Sequence, residues 1–354
     1  VTEAILLVGG QGTRLRPLTA TTAKPLLPVA GVPFLAHQLA RLRDAGIEHV
    51  VLATSYRAET FTEAFGDGSA LGLRLDYEVE SEPLGTGGAI RNAGRRLEGG
   101  PDDAVVILNG DVLSGHDLPG QVAQHLATGA DVTLHLVRVE DPRAFGCVPT
   151  DADGRVTAFL EKMPEPVTDT VNAGCYVFRR AVVDAIPQER VVSVERETFP
   201  GLLRDGSDVR AWTETAYWLD LGTPAALVRG SCDLVLGRIA SSALPAPTGQ
   251  WLALEGADIA ADAFLSAGTA VGAGAVVGAG AVVEGSVLYD GAVVAAGARV
   301  TGSVLGEGAR VGEGCVLSGA VLGARAEVGA GNQLTGALRV QVDGRVGDRA
   351  LVVP

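Results

Sequence analysis

Two patterns of apolar residues divide this chain. As far as residue 240, short apolar runs alternate with stretches at helical spacing; beyond Ile259, aliphatics recur every six residues among Gly and Ala. In the first part, residues 4–8 form an unbroken apolar run of the kind that makes a fully buried parallel strand. Residues 32–45 carry Leu35, Leu39 and Leu42 at helical spacing and stop at Gly46, and residues 47–54 read as the next strand. This order of strand, loop, helix and strand is the βαβ unit of a parallel sheet. Residues 73–79 alternate toward a further strand, and 89–97 continue as helix. Residues 104–108 form a buried strand that brings Asn109, Gly110 and Asp111 to the same carboxyl edge as the loop after residue 8.

Shorter strands follow. Residues 132–139 alternate, 146–148 and 156–160 flank a turn at 151–154, and 171–178 return as a strand holding Asn172. Residues 195–203 read as helix and 218–222 as the end of a last strand. Thr223 caps a helix running to Ile239, with Pro224 at its first position. Residues 241–249, rich in Ser, Pro and Ala, begin a linker.

The later pattern is periodic. Apolar residues stand at 259, 265, 271, 277 and 283, and then 285–301, 302–318 and 319–335 align as three repeats of 17 residues with steps of six, six and five. This is the signature of a hexapeptide β-helix, each repeat one triangular coil with its aliphatic inward and small residues at its corners. A disordered Gly/Ala linker would not hold aliphatics in register. The expected domains are 1–240, a linker over 241–256, and a β-helix over 257–354.

Charge and composition narrow the function. A net charge of -14 argues against nucleic acid or an anionic membrane as partner, so a phosphorylated ligand needs a local basic site. Cys147, Cys175, Cys232 and Cys315 show neither disulfide nor zinc spacing, and reduced cytoplasm is the simplest compartment. The first apolar run is too short for a signal peptide, and no run approaches the roughly 18 residues of a membrane span. The five histidines, at 37, 49, 116, 125 and 135, fall in no ligand or triad spacing, and His37 reads as structural.

The loop after residue 8 is the candidate phosphate cradle. Gly9, Gly10 and Gly12 free backbone N–H groups to approach phosphate oxygens, and Arg14, Arg16 and Lys24 concentrate positive charge on an acidic chain. The dinucleotide fingerprint would need a third glycine where Leu15 stands, and there is no Walker sequence. Taken alone, the glycines also suit an ordinary turn with solvated basic residues. Asp111 and Asp220 each end a buried strand, and such hard carboxylates suit Mg²⁺ bound to phosphate oxygens; for either residue a turn or helix-cap role is the alternative.

Gly9-Gly-Gln-Gly-Thr-Arg-Leu-Arg-Pro-Leu-Thr19 with Lys24-Pro25 resembles the signature of sugar-1-phosphate nucleotidylyltransferases, most closely the mannose-1-phosphate guanylyltransferases. Further segments agree in order: Glu80 to Gly88, Asn109-Gly-Asp111, Phe159-Leu-Glu-Lys162, Asn172-Ala-Gly174, Ser193 to Pro200 and Trp218 to Pro224. The resemblance spans nearly the whole chain. It implies an α/β, Rossmann-like, mixed and mainly parallel sheet domain followed by a left-handed parallel β-helix. It also implies transfer of a nucleotidyl group, guanylyl above all, from GTP to a sugar 1-phosphate such as mannose 1-phosphate, with Mg²⁺ as cofactor. By resemblance, Gly9, Gly10, Gly12, Thr13, Gly85, Thr86, Asn109 and Gly110 contact the nucleotide, and Arg14 and Lys24 face its phosphates. On the same ground Lys162 grips the sugar phosphate, Glu161 and Asn172 bind sugar hydroxyls, Gly174 assists through its backbone, and Gly146 permits close approach.

The base reading rests on Glu80. Thymidylyl and uridylyl relatives carry glutamine at the matching position, and a carboxylate, with acceptors only, suits the paired N–H donors of guanine. Glu82 is the alternative reader, two residues on along an extended segment. Rival functions are an acyltransferase on the β-helix, a non-catalytic nucleotide-sugar-binding subunit, and a metal-dependent glycosyltransferase. The first lacks a histidine base after His135, and the second is disfavoured by retention of Arg14, Lys24, Asp111, Lys162 and Asp220. The third is disfavoured by the loop from Gly10 to Arg14. The β-helix, with exposed aliphatic ends, is expected to assemble a homo-oligomer.

Overall fold

The computed structural model describes every residue except 1, 56, 162–163, 245–248 and 352–354, so part of the expected linker lies outside the described residues. By contact the chain divides into two units, each discontinuous in sequence. One comprises Val1–Gly10 with Arg41–Trp218, the other Gln11–Ala40 with Leu219–Pro354.

The first unit is built on a nine-stranded mixed sheet. In chain order its elements are β1 (Thr2–Leu7), the end of α1 (Phe34–Asp44), β2 (His49–Thr54), α2 (Ala58–Phe65), β3 (Arg74–Val79), α3 (Gly85–Gly94) and β4 (Ala104–Asn109). Then come α4 (Leu118–Thr128), β5 (Val132–Arg138), β6 (Gly146–Cys147), β7 (Leu160–Glu161), β8 (Thr170–Arg179), α5 (Arg180–Ala185), α6 (Phe199–Arg204) and β9 (Val209–Glu214). The strand order is β7-β6-β8-β4-β1-β2-β3, and β5 joins β8 to β9. Strands β3, β2, β1 and β4 run parallel, as the continuous apolar runs of β1, β2 and β4 lead one to expect, while β8 pairs antiparallel with β4. Ile5, Val51, Ile90, Ile107, Tyr176, Phe178 and Phe199 belong to one buried core. Tyr176 and Phe199 meet edge to face at 5.1 Å.

Five helices depart from the expected pattern; α2 and α5 stand where no element is expected. Helix α3 starts at Gly85, four residues earlier than its apolar spacing suggests, because Gly87 donates its N–H to the Val192 carbonyl at 2.8 Å. The stretch expected as one helix over 195–203 is a π-helical turn, Val194–Thr198, followed by α6. Pro200 has no N–H to continue an ordinary ladder there. Helix α4 was hidden because its buried positions include Gln121 and His125 in place of aliphatics.

His125 pairs with Thr133 Oγ1 at 3.0 Å, and Gln121 belongs to a buried cluster. His116 and His135 stack at 3.8 Å between ring centroids, and the Arg41 guanidinium lies against His116. Gln121 Oε1 faces His116 Nε2 at 2.9 Å. Burial, reinforced by Arg41, pushes His135 down to about 3 and holds His116 far below the ordinary imidazole range.

The second unit contains the β-helix. After helix α7 (Pro224–Val235), capped as expected by Thr223 Oγ1 at 3.2 Å from the Ala226 N–H, the chain winds through three parallel sheets of short strands. This architecture is consistent with the left-handed β-helix that the resemblance implied. Val277, Val294, Val311 and Val328 share one buried core with Leu288, Leu305 and Leu322. Coil length shortens from 18 to 17 residues as the repeat predicts, and it returns to 18 in the last coil, which the repeat alone does not show. Trp251 pairs with Thr269, then Val287 with Val304 and Val304 with Val321, and finally Val321 with Arg339; the spacings run 18, 17, 17 and 18 residues. At the shortened corner, hydroxyls form a ladder. Ser303 N–H donates to Ser286 Oγ at 3.1 Å, and Ala320 N–H to Ser303 Oγ at 3.0 Å. Among the described residues no helix is long and apolar enough to cross a membrane.

Candidate active site

The expected site residues fall in both units, and each set has its own local logic. In the first unit, parallel pairing sets Leu7 at the end of β1 beside Asn109 at the end of β4. Gly110 donates its N–H to the Leu7 carbonyl at 2.9 Å, and a Cβ at Gly110 would stand 2.5 Å from that oxygen. Its glycine is therefore required by the close approach of the two strand ends. Asp111 follows, half-buried, in the turn before the short strand Val112–Ser114.

The sugar-side residues gather on three neighbouring strands. Gly146 on β6 is opposite Glu161 on β7, and Cys147 is opposite Val171 on β8. Strand β8 is irregular between Asn172 and Tyr176, with Gly174 at a φ of 74°. That bulge lets Asn172 accept from the Gly174 N–H at 3.1 Å and donate to Tyr176 Oη at 2.8 Å. Asn109 also hydrogen-bonds Tyr176, and a Cβ at Gly174 would come 2.8 Å from Asn109 Nδ2. Lys162 lies outside the described residues.

The glycine run 85–88 is a packing device. Gly85 has a φ of 73°, and a side chain there would meet the Val192 carbonyl at 2.6 Å. Thr86 is held by the protein too: its hydroxyl donates to Glu195 Oε2 at 2.9 Å and accepts from the Val194 N–H. Glu195 was given no role by the sequence reading, although it lies in a segment that carried the resemblance. Half-buried on the π-helical turn, it also accepts from Ser193 Oγ at 3.0 Å, and its charge helps burial hold the Tyr176 phenol protonated. Thr86, Glu195, Tyr176, Asn109 and Asn172 thus form one polar network.

The two candidate base readers differ in burial. Glu80 is half-buried, its Oε1 is sealed from solvent, and burial raises its carboxyl above the usual range. Glu82 is exposed. The Glu80 carboxylate also accepts a backbone hydrogen bond from Leu84, so its buried oxygen is covered by the protein's own turn.

Gly9 and Gly10 close the first unit's part of the loop, Gly10 at a φ of 111°. The second unit holds the rest. Gly12, at a φ of 57°, starts a short 3-10 turn, Thr13–Leu15, that carries Arg14 with its side chain exposed. The Gly12 carbonyl accepts from the Leu15 N–H and from Thr19 Oγ1, both at 2.9 Å. A Cβ at Gly12 would press on the Lys24 side chain at 3.0 Å. Asp220 ends the strand Trp218–Asp220, and its Oδ1 accepts from the Gly222 N–H at 2.7 Å. A side chain at Gly222 would run into both the Arg14 guanidinium and Asp220, so this glycine makes room for the arginine.

Metal chemistry can be weighed from the donors. Asp111 and Asp220 are half-buried hard carboxylates at strand ends, which fit Mg²⁺. His116, His135 and Glu214 also lie close enough to share an ion, but the Arg41 cation already stands against His116.

Residues 3–235 match the family described as Nucleotidyl transferase, and 248–340 match the GMPPB C-terminal domain. The chain is 52% identical over 289 residues to a mannose-1-phosphate guanylyltransferase of Mycobacterium tuberculosis, covering 81% of this chain and 80% of that one. It is 38% identical to a mannose-1-phosphate guanylyltransferase catalytic subunit beta of Drosophila melanogaster, over 65% of this chain and 62% of the relative. Among solved structures, HddC from Yersinia pseudotuberculosis complexed with GMP-PN superposes with a TM-score of 0.56 at 28% identity, covering 65% of this chain and 97% of that one.

Proposed function

Because the chain belongs to the nucleotidyl transferase family, we propose that it transfers a guanylyl group from GTP to mannose 1-phosphate, giving GDP-mannose and pyrophosphate. A phosphate oxygen of the sugar phosphate attacks the α-phosphorus; the new P–O bond forms as the bond to the bridging oxygen breaks, and pyrophosphate leaves with that electron pair. Such a step needs alignment and charge neutralisation rather than a protein nucleophile. Arg14 and Lys24 are assigned to the triphosphate, Asn172 and Glu161 to sugar hydroxyls, and Lys162 to the sugar phosphate. Asp111 and Asp220 would hold Mg²⁺, which supplies charge neutralisation at phosphate oxygens. A reducing compartment suits the four cysteines, all buried and unpaired, and we place assembly into a homo-oligomer on the β-helix.

The observation that carries the guanylyl reading is the acceptor-only carboxylate of Glu80, half-buried in the segment that carries the resemblance. The similarity to relatives named for guanylyl transfer supports it. Comparing kcat/KM for GTP, dTTP and UTP with Mg²⁺ and mannose 1-phosphate tests it. GTP is expected to lead by up to about 10⁴-fold, Glu80→Gln to erase most of that lead, and a chelator to stop turnover. A native preference for a pyrimidine triphosphate would overturn the base assignment, and faster turnover with another sugar 1-phosphate would replace the acceptor.

A further inference from the structure

Within the second unit, the three faces of the β-helix are not equivalent. Neighbouring residues in a strand point to opposite sides, so beside the inward Leu288, Leu305 and Leu322 stand outward Val287, Val304 and Val321. Those valines are 1%, 0% and 2% exposed. On the other two faces, Phe264, Arg299, Arg310 and Gln333 take outward positions and are exposed. One face is therefore a seat.

The segment that bears Arg14 and Lys24 reaches this seat. Tyr289, Asp290 and Glu307, at coil corners just beyond its strands, share a cavity of about 200 Å³ with Leu18, Leu26 and Pro28. Farther along the segment, the Ala30 N–H donates to the buried Ser231 Oγ of α7 at 2.9 Å. The row of outward valines ends at Arg339, which pairs in register with Val321 and is exposed. Its Nη1 donates to the Arg16 carbonyl at 2.7 Å across 323 residues of sequence. Arg16 in turn closes the 3-10 turn, its N–H bonded to the Thr13 carbonyl at 3.2 Å.

We propose that Arg339 is a positioning residue: from the last part of the β-helix it ties down the turn that presents Arg14, so that the β-helix braces the triphosphate-binding loop. The inference rests on the assignment of Arg14 to the triphosphate. The tie is a charged donor on a backbone carbonyl, which outlasts the breathing of an exposed loop better than a neutral contact. It acts through the turn and touches no reactant.

Two readouts test it. In Arg339→Ala the amides of Leu15 and Arg16 should exchange with solvent about ten-fold faster, with an unchanged melting temperature because Arg339 is exposed. Arg339→Lys, which keeps one charged donor, should restore most of the protection. In steady-state kinetics Arg339→Ala should raise KM for GTP about three- to ten-fold and leave KM for the sugar phosphate unchanged. Unchanged exchange at Leu15 and Arg16 in Arg339→Ala would overturn the tie whether or not the protein turns over GTP. Faster exchange with an unaltered KM for GTP in an active enzyme would overturn its role in substrate binding. A native protein inactive on GTP would sink the functional reading and leave the exchange result to decide the brace.

Discussion

In the nine-stranded sheet a few large side chains fill the interior, each in a place no other residue shares, whereas the β-helix fills its interior with small aliphatics repeated coil after coil. Tyr176, Phe178 and Phe199 converge from two elements on one point of the sheet unit's core. Val294 instead sits in a row, with Val277 one coil before it and Val311 one coil after. Cooperativity differs accordingly. A sheet core is lost as a whole, while a solenoid behaves as a sum of coils and their nearest-neighbour contacts.

Substitutions can break this contrast. Phe199→Ala should cost about 4 kcal/mol, since the ring leaves a cavity that Tyr176 and Phe178 cannot both fill. Val294→Ala should cost about 2 kcal/mol and loosen mainly its own coil and the two adjoining it. Denaturant unfolding combined with site-resolved hydrogen exchange separates the two outcomes. Equal costs, or protection lost along the whole β-helix in Val294→Ala, would erase the distinction.

Acid offers a second test. Every histidine lies at or before residue 135, outside the β-helix. Burial pushes His135 down to about 3 and His125 down to about 4. Both imidazoles stay neutral in the fold but take up protons near pH 6.5 once the chain unfolds. Their contribution is fully present above about pH 6.5 and is lost as pH falls toward those folded values, at up to about 1.4 kcal/mol per pH unit for each histidine. Urea midpoints followed by exchange in β5 and α4 should therefore drop between about pH 6.5 and 4.5, ahead of those in the β-helix. Parallel loss in both regions would mean that carboxylates dominate instead.

The smallest expected effect concerns the hydroxyl ladder. Ser303→Ala leaves the buried Ala320 N–H without its acceptor and should cost about 1–2 kcal/mol, raising exchange at that amide. A change at the limit of detection would show that the corner relaxes to find another partner.

Legibility in the sequence follows the same division. The β-helix was readable because period and burial coincide: an aliphatic every six residues has one structural meaning. Strands β1, β2 and β4 were readable because both faces are buried. What stayed hidden was held together by contacts distant in sequence. Helix α4 buries Gln121 and His125 because His116 and Thr133 satisfy them, and no local pattern announces that. Gly85 to Gly88 look like loop and are helix because residues 190–192 crowd them. In the candidate site, the residues of the cradle and of the Asn109 and Asn172 turns stood in motifs. Glu195 and Arg339 act through partners 109 and 323 residues away. A motif scan sees neighbours in the chain, and these are neighbours only in space.

The second unit takes residues from both sides of the first: Gln11–Ala40 interrupts the sheet unit, and Leu219–Pro354 follows it. For recombination between homologues this has a practical meaning. A graft that exchanges only the chain beyond the linker would hand a foreign β-helix to the original residues 11–40, mismatching the seat and the Arg339 tie at once. Exchanging residues 11–40 together with 219–354 moves them as a set, so the natural crossover points of this molecule are three, and one of them falls inside the signature, between Gly10 and Gln11.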